Sequence, residues 1–424
     1  MRDFLKSVFK GNPALWAVIF ILIAISVVLM FSAISSVAYK YANYLDPFYG
    51  HVKHLVFGMI AMLIMSRIPY RILRRLYVVL LPITIVILFI TPYIGVTLNG
   101  GTRAIRIAGF DVQPQEFAKL FIIMFLADIL SVYQQNSTNK DITEDVRNAN
   151  EKAYFWAILA VVFVTIMPIA VQNFSTAVMI ALLTFIMMIV GRVNWKRMAI
   201  LTGTTLGVGI LVIVILINLP QSVNEKLPGH MSSIKGRIER AMADITTPDD
   251  QKVYKITDEN RQPMHAKIAI ANGRIPSGPG NSIQRDYLPL AFSDFIFAIL
   301  IEESGWFGIM LTMLSYLAML FIAGTILYKS DKIYPSLLSI GLCTMIVMQA
   351  MISMCVAVGL GPVTGQPLPL ISRGGSSILM TCIMLGIVLS ISREIYTQRK
   401  ATTEDANGES ANQTTDETIN QLND

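Results

Sequence analysis

Ten stretches of this chain are apolar over about the length that crosses a hydrocarbon core. They run over 14–37, 54–67 with an upstream extension, 76–95, 117–133, 154–171, 175–191, 198–219, 306–327, 336–358 and 376–393. A spanning helix needs about 20 such residues. In lipid the backbone finds hydrogen-bond partners only within a helix or a closed barrel. The pattern therefore predicts an all-α polytopic membrane protein of about ten transmembrane helices. Composition agrees: 15% of residues are charged, against about 25% in soluble domains. The polar Gln172–Thr176 separates the fifth stretch from the sixth.

Charge orients the stretches. Arg2, Lys6 and Lys10 precede the first; Arg67, Arg71, Arg74 and Arg75 lie between the second and third. Lys140, Arg147 and Lys152, then Arg192, Lys196 and Arg197, then Lys329 and Lys332, then Arg393, Arg399 and Lys400 follow at every second connection. Positive residues favour the cytoplasmic side, so both termini are expected there. The net charge of +6 is then a matter of topology, not of nucleic-acid binding. Residues 1–13 form a cytoplasmic N-terminal segment, 14–400 the membrane domain, and the first span a retained signal anchor. Residues 401–424 carry six acidic residues and no Lys or Arg, the composition of a disordered cytoplasmic tail.

The large extracytoplasmic loop, about 220–293, lies between the seventh and eighth spans. Its length suggests function, and Ile234, Ile238, Ala241 and Ile245 recur within it at helical spacing beside Lys235, Arg237 and Arg240. Such a helix lies on a membrane surface or caps the bundle. No segment has the phosphate-loop pattern, which argues against an NTP-driven machine. Cys343, Cys355 and Cys382 sit in apolar stretches and give neither a disulfide framework nor zinc spacing. His51 and His54, at i and i+3, read as an interfacial pair, since nothing nearby completes a metal ligand set.

Polar groups collect at span edges on the outer side. One loop offers Arg103, Arg106, Glu116 and Lys119; a second offers Arg285 and Asp294; a third offers Ser372, Arg373, Ser376 and Ser377. Cations near a membrane surface suit phosphate or pyrophosphate, and a carboxylate against apolar walls suits a general base. Each residue reads equally well as half of a structural pair. Asp294, Glu302 and Glu303 punctuate one helix-like stretch. On a continuous helix Glu302 would lie about 80° around and about 12 Å deeper than Asp294, with Glu303 on about the opposite face. That geometry separates one accessible carboxylate from two supports.

Three segments carry a resemblance. "QPQEFAK" (113–119), "YLPLAFSDFIFAILIEESGWFG" (287–308) and "GPVTGQPLPLISRGGSS" (361–377) resemble the signature segments of the SEDS family, the FtsW, RodA and SpoVE proteins of bacteria. They stand in family order, and the likeness covers about 10–400. The chain departs from the family's forms at Pro289-Leu290-Ala291-Phe292-Ser293, which lacks a Glu and a His. It departs again at Gln172–Ala177 and at Arg373, where the family carries Tyr.

The resemblance implies the SEDS fold and a peptidoglycan glycosyltransferase. Such an enzyme polymerises lipid II, a disaccharide-pentapeptide on undecaprenyl pyrophosphate, into glycan strands at the outer face of the bacterial cytoplasmic membrane. It implies a class B penicillin-binding protein as partner, and Asp294 in the place of the family's essential aspartate. The form of the segment is nearer the division branch, which implies septal wall synthesis beside other divisome membrane proteins. The expected roles are a general base for Asp294 and pyrophosphate or sugar contacts for Arg103, Arg106, Lys119, Arg285, Arg373, Ser372 and Ser376. Glu116 would orient Lys119 or bind a metal, and Glu302 and Glu303 would support the site. No metal motif is visible; a divalent cation such as Mg²⁺ enters only as an option at the departing pyrophosphate. Two other readings are a lipid II flippase and a non-catalytic scaffold for the transpeptidase.

Overall fold

The computed structural model describes residues 9–34, 45–98, 101–107, 110–139, 141–204, 256, 260–288, 291–361 and 363–397. The surface helix expected around 234–245 and the tail 401–424 lie outside these residues.

Eleven described helices carry the fold. They are α1 (Pro13–Ile34), α2 (Asp46–Met65), α3 (Tyr70–Ile94), α4 (Pro114–Thr138), α5 (Glu144–Gln172), α6 (Phe174–Val190), α7 (195–204), α8 (Arg261–Asn272), α9 (Ile296–Lys329), α10 (Ile333–Ala357) and α11 (Gly375–Thr397). Among the described residues seven are long and apolar enough to cross a membrane: α1, α2, α3, α5, α9, α10 and α11. α6 is apolar but has 17 residues, and α7 is described only over the first part of the stretch 198–219.

α4 is long enough at 25 residues but carries Glu116, Lys119 and Asp128. It packs against α3, α5, α6 and α10. Ala118, Ile122, Ile123, Leu126, Ala127 and Leu130 on it are fully buried, so its polar groups face protein and not lipid. α2, α3 and α5 instead expose large apolar residues such as Phe57, Val79 and Phe163, the surface a bilayer would cover. α2 and α11 approach closely through small residues. A methyl on Gly386 would meet the Met62 carbonyl oxygen at 2.7 Å, and one on Gly58 the Cys382 sulfur at 2.8 Å.

The expectation of an all-helical chain is corrected between α3 and α4. Val96–Leu98 (β1), Gly101–Ile107 (β2) and Phe110–Val112 (β3) form an antiparallel sheet in the order β1-β2-β3. Lying between two spans, its backbone groups satisfy one another in the ladder.

Arg71, Arg74, Lys329 and Arg393, far apart in sequence, meet at one end of the bundle. Arg71 pairs with Glu394 at 3.3 Å, and the Arg74 Nε donates to Asp128 at 2.7 Å and its guanidinium sits 4.7 Å from the Tyr334 ring centre. Lys329 lies 5.8 Å from the Tyr396 ring centre, and Arg393 donates to the Arg67 carbonyl. Tyr77 also donates to Asp128, at 2.6 Å.

α9 is not one helix. Gly305 has φ 57° and ψ −143°, and the chain folds back there. A methyl on Gly308 would touch the Leu300 side chain at 2.8 Å. Residues eight apart on a continuous helix are separated by about 12 Å, so 296–304 is a short helix lying against the start of the long one. This overturns the depth expected for the three carboxylates. Along α1, Ser26 and Ser32 are about 9 Å apart. Ser32, nearer the outer end, donates to Glu303, whereas Ser26 binds Ile371, whose neighbours Ser372 and Arg373 bind Ser293 and Phe292. Asp294 therefore lies deeper than Glu302 and Glu303, because the short helix rises from Asp294 toward Gly305.

Gly305→Ala tests the fold-back. The backbone there is one that L residues rarely adopt, and a methyl would stand 2.7 Å from Pro276. We expect a loss of about 1–3 kcal/mol, read as a lower thermal midpoint in detergent; an unchanged midpoint counts against the break.

Candidate functional site

Irregular backbone at membrane depth persists only where protein satisfies its polar groups. The segment 363–373, which links α10 to α11, meets that condition through four spans. Gln349 on α10 donates to the Pro367 carbonyl at 3.0 Å, and Tyr316 on α9 donates to the Pro369 carbonyl at 2.5 Å. Ser26 on α1 donates to the Ile371 carbonyl at 3.1 Å, and the Gln366 side chain donates to Thr176 on α6 at 2.8 Å. Leu370 completes the turn with a left-handed φ of 63°, a strained position that the surrounding bonds enforce.

The far end of this segment grips the chain just before Asp294. Ser372 is buried; its hydroxyl donates to the Ser293 carbonyl at 2.6 Å and accepts from the Leu368 N–H at 2.8 Å. The Arg373 N–H donates to the Phe292 carbonyl at 2.9 Å, and its guanidinium lies 5.3 Å from the Phe292 ring centre. Asp294 is half-buried, and its Oδ1 accepts from the Ser293 hydroxyl at 2.9 Å. It immediately precedes the short helix, where the positive end of the helix dipole suits a negative group. Ser376, half-buried, lies in the first turn of α11 beyond Arg373.

Glu116 and Lys119 form a second part of the same construction. They pair at 2.6 Å with side chains 4% and 0% exposed. The Lys119 ammonium also donates to the Gln349 Oε1 at 2.8 Å, and Gln349 holds Pro367. The pair thus reaches the 363–373 segment through one intermediate residue.

Glu302 and Glu303 tie the short helix to the segment 272–285. Glu302 accepts from Asn272 at 2.8 Å, from Ser282 and from the Gln284 N–H at 3.2 Å. Glu303 accepts from Ser32, whose hydroxyl also accepts from Arg285 at 3.1 Å. Arg285 donates again to the Gly280 carbonyl at 2.5 Å. Arg106 stands apart on β2, exposed, bonded to Asp111 at 2.9 Å; the Asp111 carboxylate raises its already high pKa. Arg103 lies on β2, and its side chain is outside the described residues.

The structure corrects the reading of His51 and His54 as an interfacial pair. His51 is fully buried, with Nε2 2.9 Å from the Ser26 hydroxyl that holds Ile371. His54 packs over Gly375, where a methyl would come within 2.9 Å of its Nε2. Ser26, His51, Tyr316, Gln349 and Gln366 were not among the expected site residues. Their one signal in the sequence is polarity inside apolar stretches. Among the described residues no three His, Cys, Asp or Glu side chains converge as a metal site.

The chain resembles known proteins over nearly its whole length. Probable peptidoglycan glycosyltransferase FtsW of Coxiella burnetii is 26% identical, with 92% of this chain and 98% of that protein covered. Stage V sporulation protein E of Bacillus subtilis is 29% identical, with 91% and 98% covered. Among solved structures, a chain described in "Structural coordination of polymerization and crosslinking by a peptidoglycan synthase complex" superposes with a TM-score of 0.63 at 22% identity, covering 90% and 98%. Rod shape determining protein RodA of Thermus thermophilus does so at 0.60 and 20%, covering 91% and 98%. The "Cell cycle protein" family model of FtsW, RodA and SpoVE matches residues 13–397, and the chain belongs to that family.

Proposed function

We propose that this chain is a peptidoglycan glycosyltransferase that polymerises lipid II into glycan strands, with Asp294 as the general base. The observation that carries the reading is the way Asp294 is held. The backbone before it is clamped by Ser372 and Arg373, and the clamp is itself held by four spans, while the carboxylate keeps some exposure. A reacting group needs that combination of fixed position and access.

In the reaction, the acceptor sugar hydroxyl attacks C1 of the donor sugar. The new C–O bond forms as the bond from C1 to the pyrophosphate oxygen breaks, with inversion. Asp294 takes the hydroxyl proton, and the electron pair leaves on undecaprenyl pyrophosphate. Fixed cations suit that leaving charge. Arg373, half-buried beside the Asp294 clamp, is the described cation best placed for it. Lys119 has no exposed surface and is occupied by Glu116 and Gln349, so we infer that it positions the 363–373 segment without touching substrate. Arg285, bonded to Ser32 and Gly280, holds the outer end of the short helix.

The arginine-rich end, by the same inference, faces the cytoplasm, and the sheet and the 272–285 segment face outward. The family kinship and the naming of relatives as FtsW favour a septal role. A class B penicillin-binding protein is the partner this reading expects.

The test is to give the purified chain, alone and with a co-purified class B protein, lipid II. Glycan strands are the expected product. Movement of labelled lipid II across liposomes without polymer would favour a flippase. Stimulated crosslinking with no polymerisation would favour a scaffold.

A further inference from the structure

At the arginine-rich end a cleft of about 860 Å³ runs between the start of α3 and the end of α11. Its rim carries Arg71 and Arg75, one turn apart on α3, and Arg393 on α11. Its floor is Ile72, Leu76 and Val79, all exposed large apolar residues on a membrane-spanning helix. Glu394 is the one acidic residue in the lining. Three arginines less one glutamate leave a surplus of two positive charges. Arg71 is paired with Glu394 and Arg393 reaches the Arg67 carbonyl, while Arg75 has no ion pair or hydrogen bond within the described residues. The neighbouring cleft differs: it includes Asp128 and Asp331, and its Arg74 is already spent on Asp128 and Tyr334.

A cationic rim over an apolar floor that opens onto the lipid-facing surface matches one kind of molecule. We propose that this cleft binds an anionic phospholipid, with its phosphate on Arg75 and Arg393 and an acyl chain along Ile72, Leu76 and Val79. Guanidinium groups bind phosphate oxygens in pairs, and basic pockets between spans select anionic headgroups. The site lies at the opposite end of the bundle from Asp294, so it joins α3 to α11 without entering the reaction. α11 begins beside the Asp294 clamp, which makes lipid occupancy a means of steadying that helix.

The experiment uses the full chain in nanodiscs of mixed phosphatidylglycerol and phosphatidylcholine, with retained lipid counted by mass spectrometry after delipidation. The double substitution Arg75→Gln with Arg393→Gln should cut phosphatidylglycerol retention about fivefold for each arginine removed, with phosphatidylcholine unchanged. Glu394→Gln should raise retention, a gain that a misfolded protein would not give. Equal retention in all three proteins overturns the proposal. So does a rise in retention on truncation after residue 400 together with indifference to Arg75→Gln, since the acidic stretch 401–424 would then be the occupant. The readout is lipid retention, so its failure leaves the polymerisation reading untouched.

Discussion

Asp294→Asn should give a folded protein that polymerises lipid II about 10²–10⁴-fold more slowly, the range a positioned general base supplies. The substitution changes little else. An asparagine Oδ1 can still accept from the Ser293 hydroxyl, and the clamp on Ser293 and Phe292 uses backbone carbonyls that the variant keeps. A merely structural carboxylate at the start of the short helix would behave differently. Its removal would cost about 0.3–1 kcal/mol of stability through the helix dipole and would leave turnover near that of the parent protein. Thermal midpoint and rate measured on the same preparation separate the two. Parent-like turnover with a lowered midpoint removes Asp294 from the chemistry. Ser372→Ala is the companion: it loosens the clamp without touching the carboxylate, so it should reduce turnover less than Asp294→Asn does.

What the sequence made legible follows from the range of the forces involved. Spans are written locally, in runs of apolar residues, and nine of the ten stretches coincide with described helices over most of their length. Even α4 could be read, because 117–133 is apolar despite Asp128. The sheet was harder, although Asn99-Gly100-Gly101 followed by Ile105 and Ile107 carries a hairpin signal. The depth of Asp294 was misread for one reason: a glycine in a helix-like stretch does not announce whether it sits in helical or left-handed backbone. Gly305 is left-handed because Pro276 and the Gly273 carbonyl fill the space beside it, and they come from a segment about 30 residues away. The clamp was illegible for the same cause. Ser26, Thr176, Tyr316 and Gln349 each look like one polar residue in a span, and only the fold brings them to a single segment.

Lys119→Met should destabilise the protein by about 3–5 kcal/mol, the cost of leaving a buried charge without its partner. The size follows from burial: Glu116 is 4% exposed, and its second carboxylate oxygen, Oε2, has no hydrogen-bond partner. Removing the ammonium therefore strands a carboxylate where neither water nor another cation reaches it. Glu116→Gln should cost a similar amount by stranding the lysine, although Gln349 softens the loss. The double variant Glu116→Gln with Lys119→Met removes both charges, and buried pairs replaced together are often neutral or better. Its thermal midpoint should return to near that of the parent. Its polymerisation rate should not, because Lys119 also orients Gln349, whose amide holds the Pro367 carbonyl. Recovery of stability without recovery of rate is the mark of a positioning pair. Two other outcomes would point elsewhere. A double variant as unstable as Lys119→Met would mean that charge pairing is not what the site requires. A stable Lys119→Met protein with a raised KM for lipid II would mean that the lysine meets the substrate directly, against the closed packing around its ammonium.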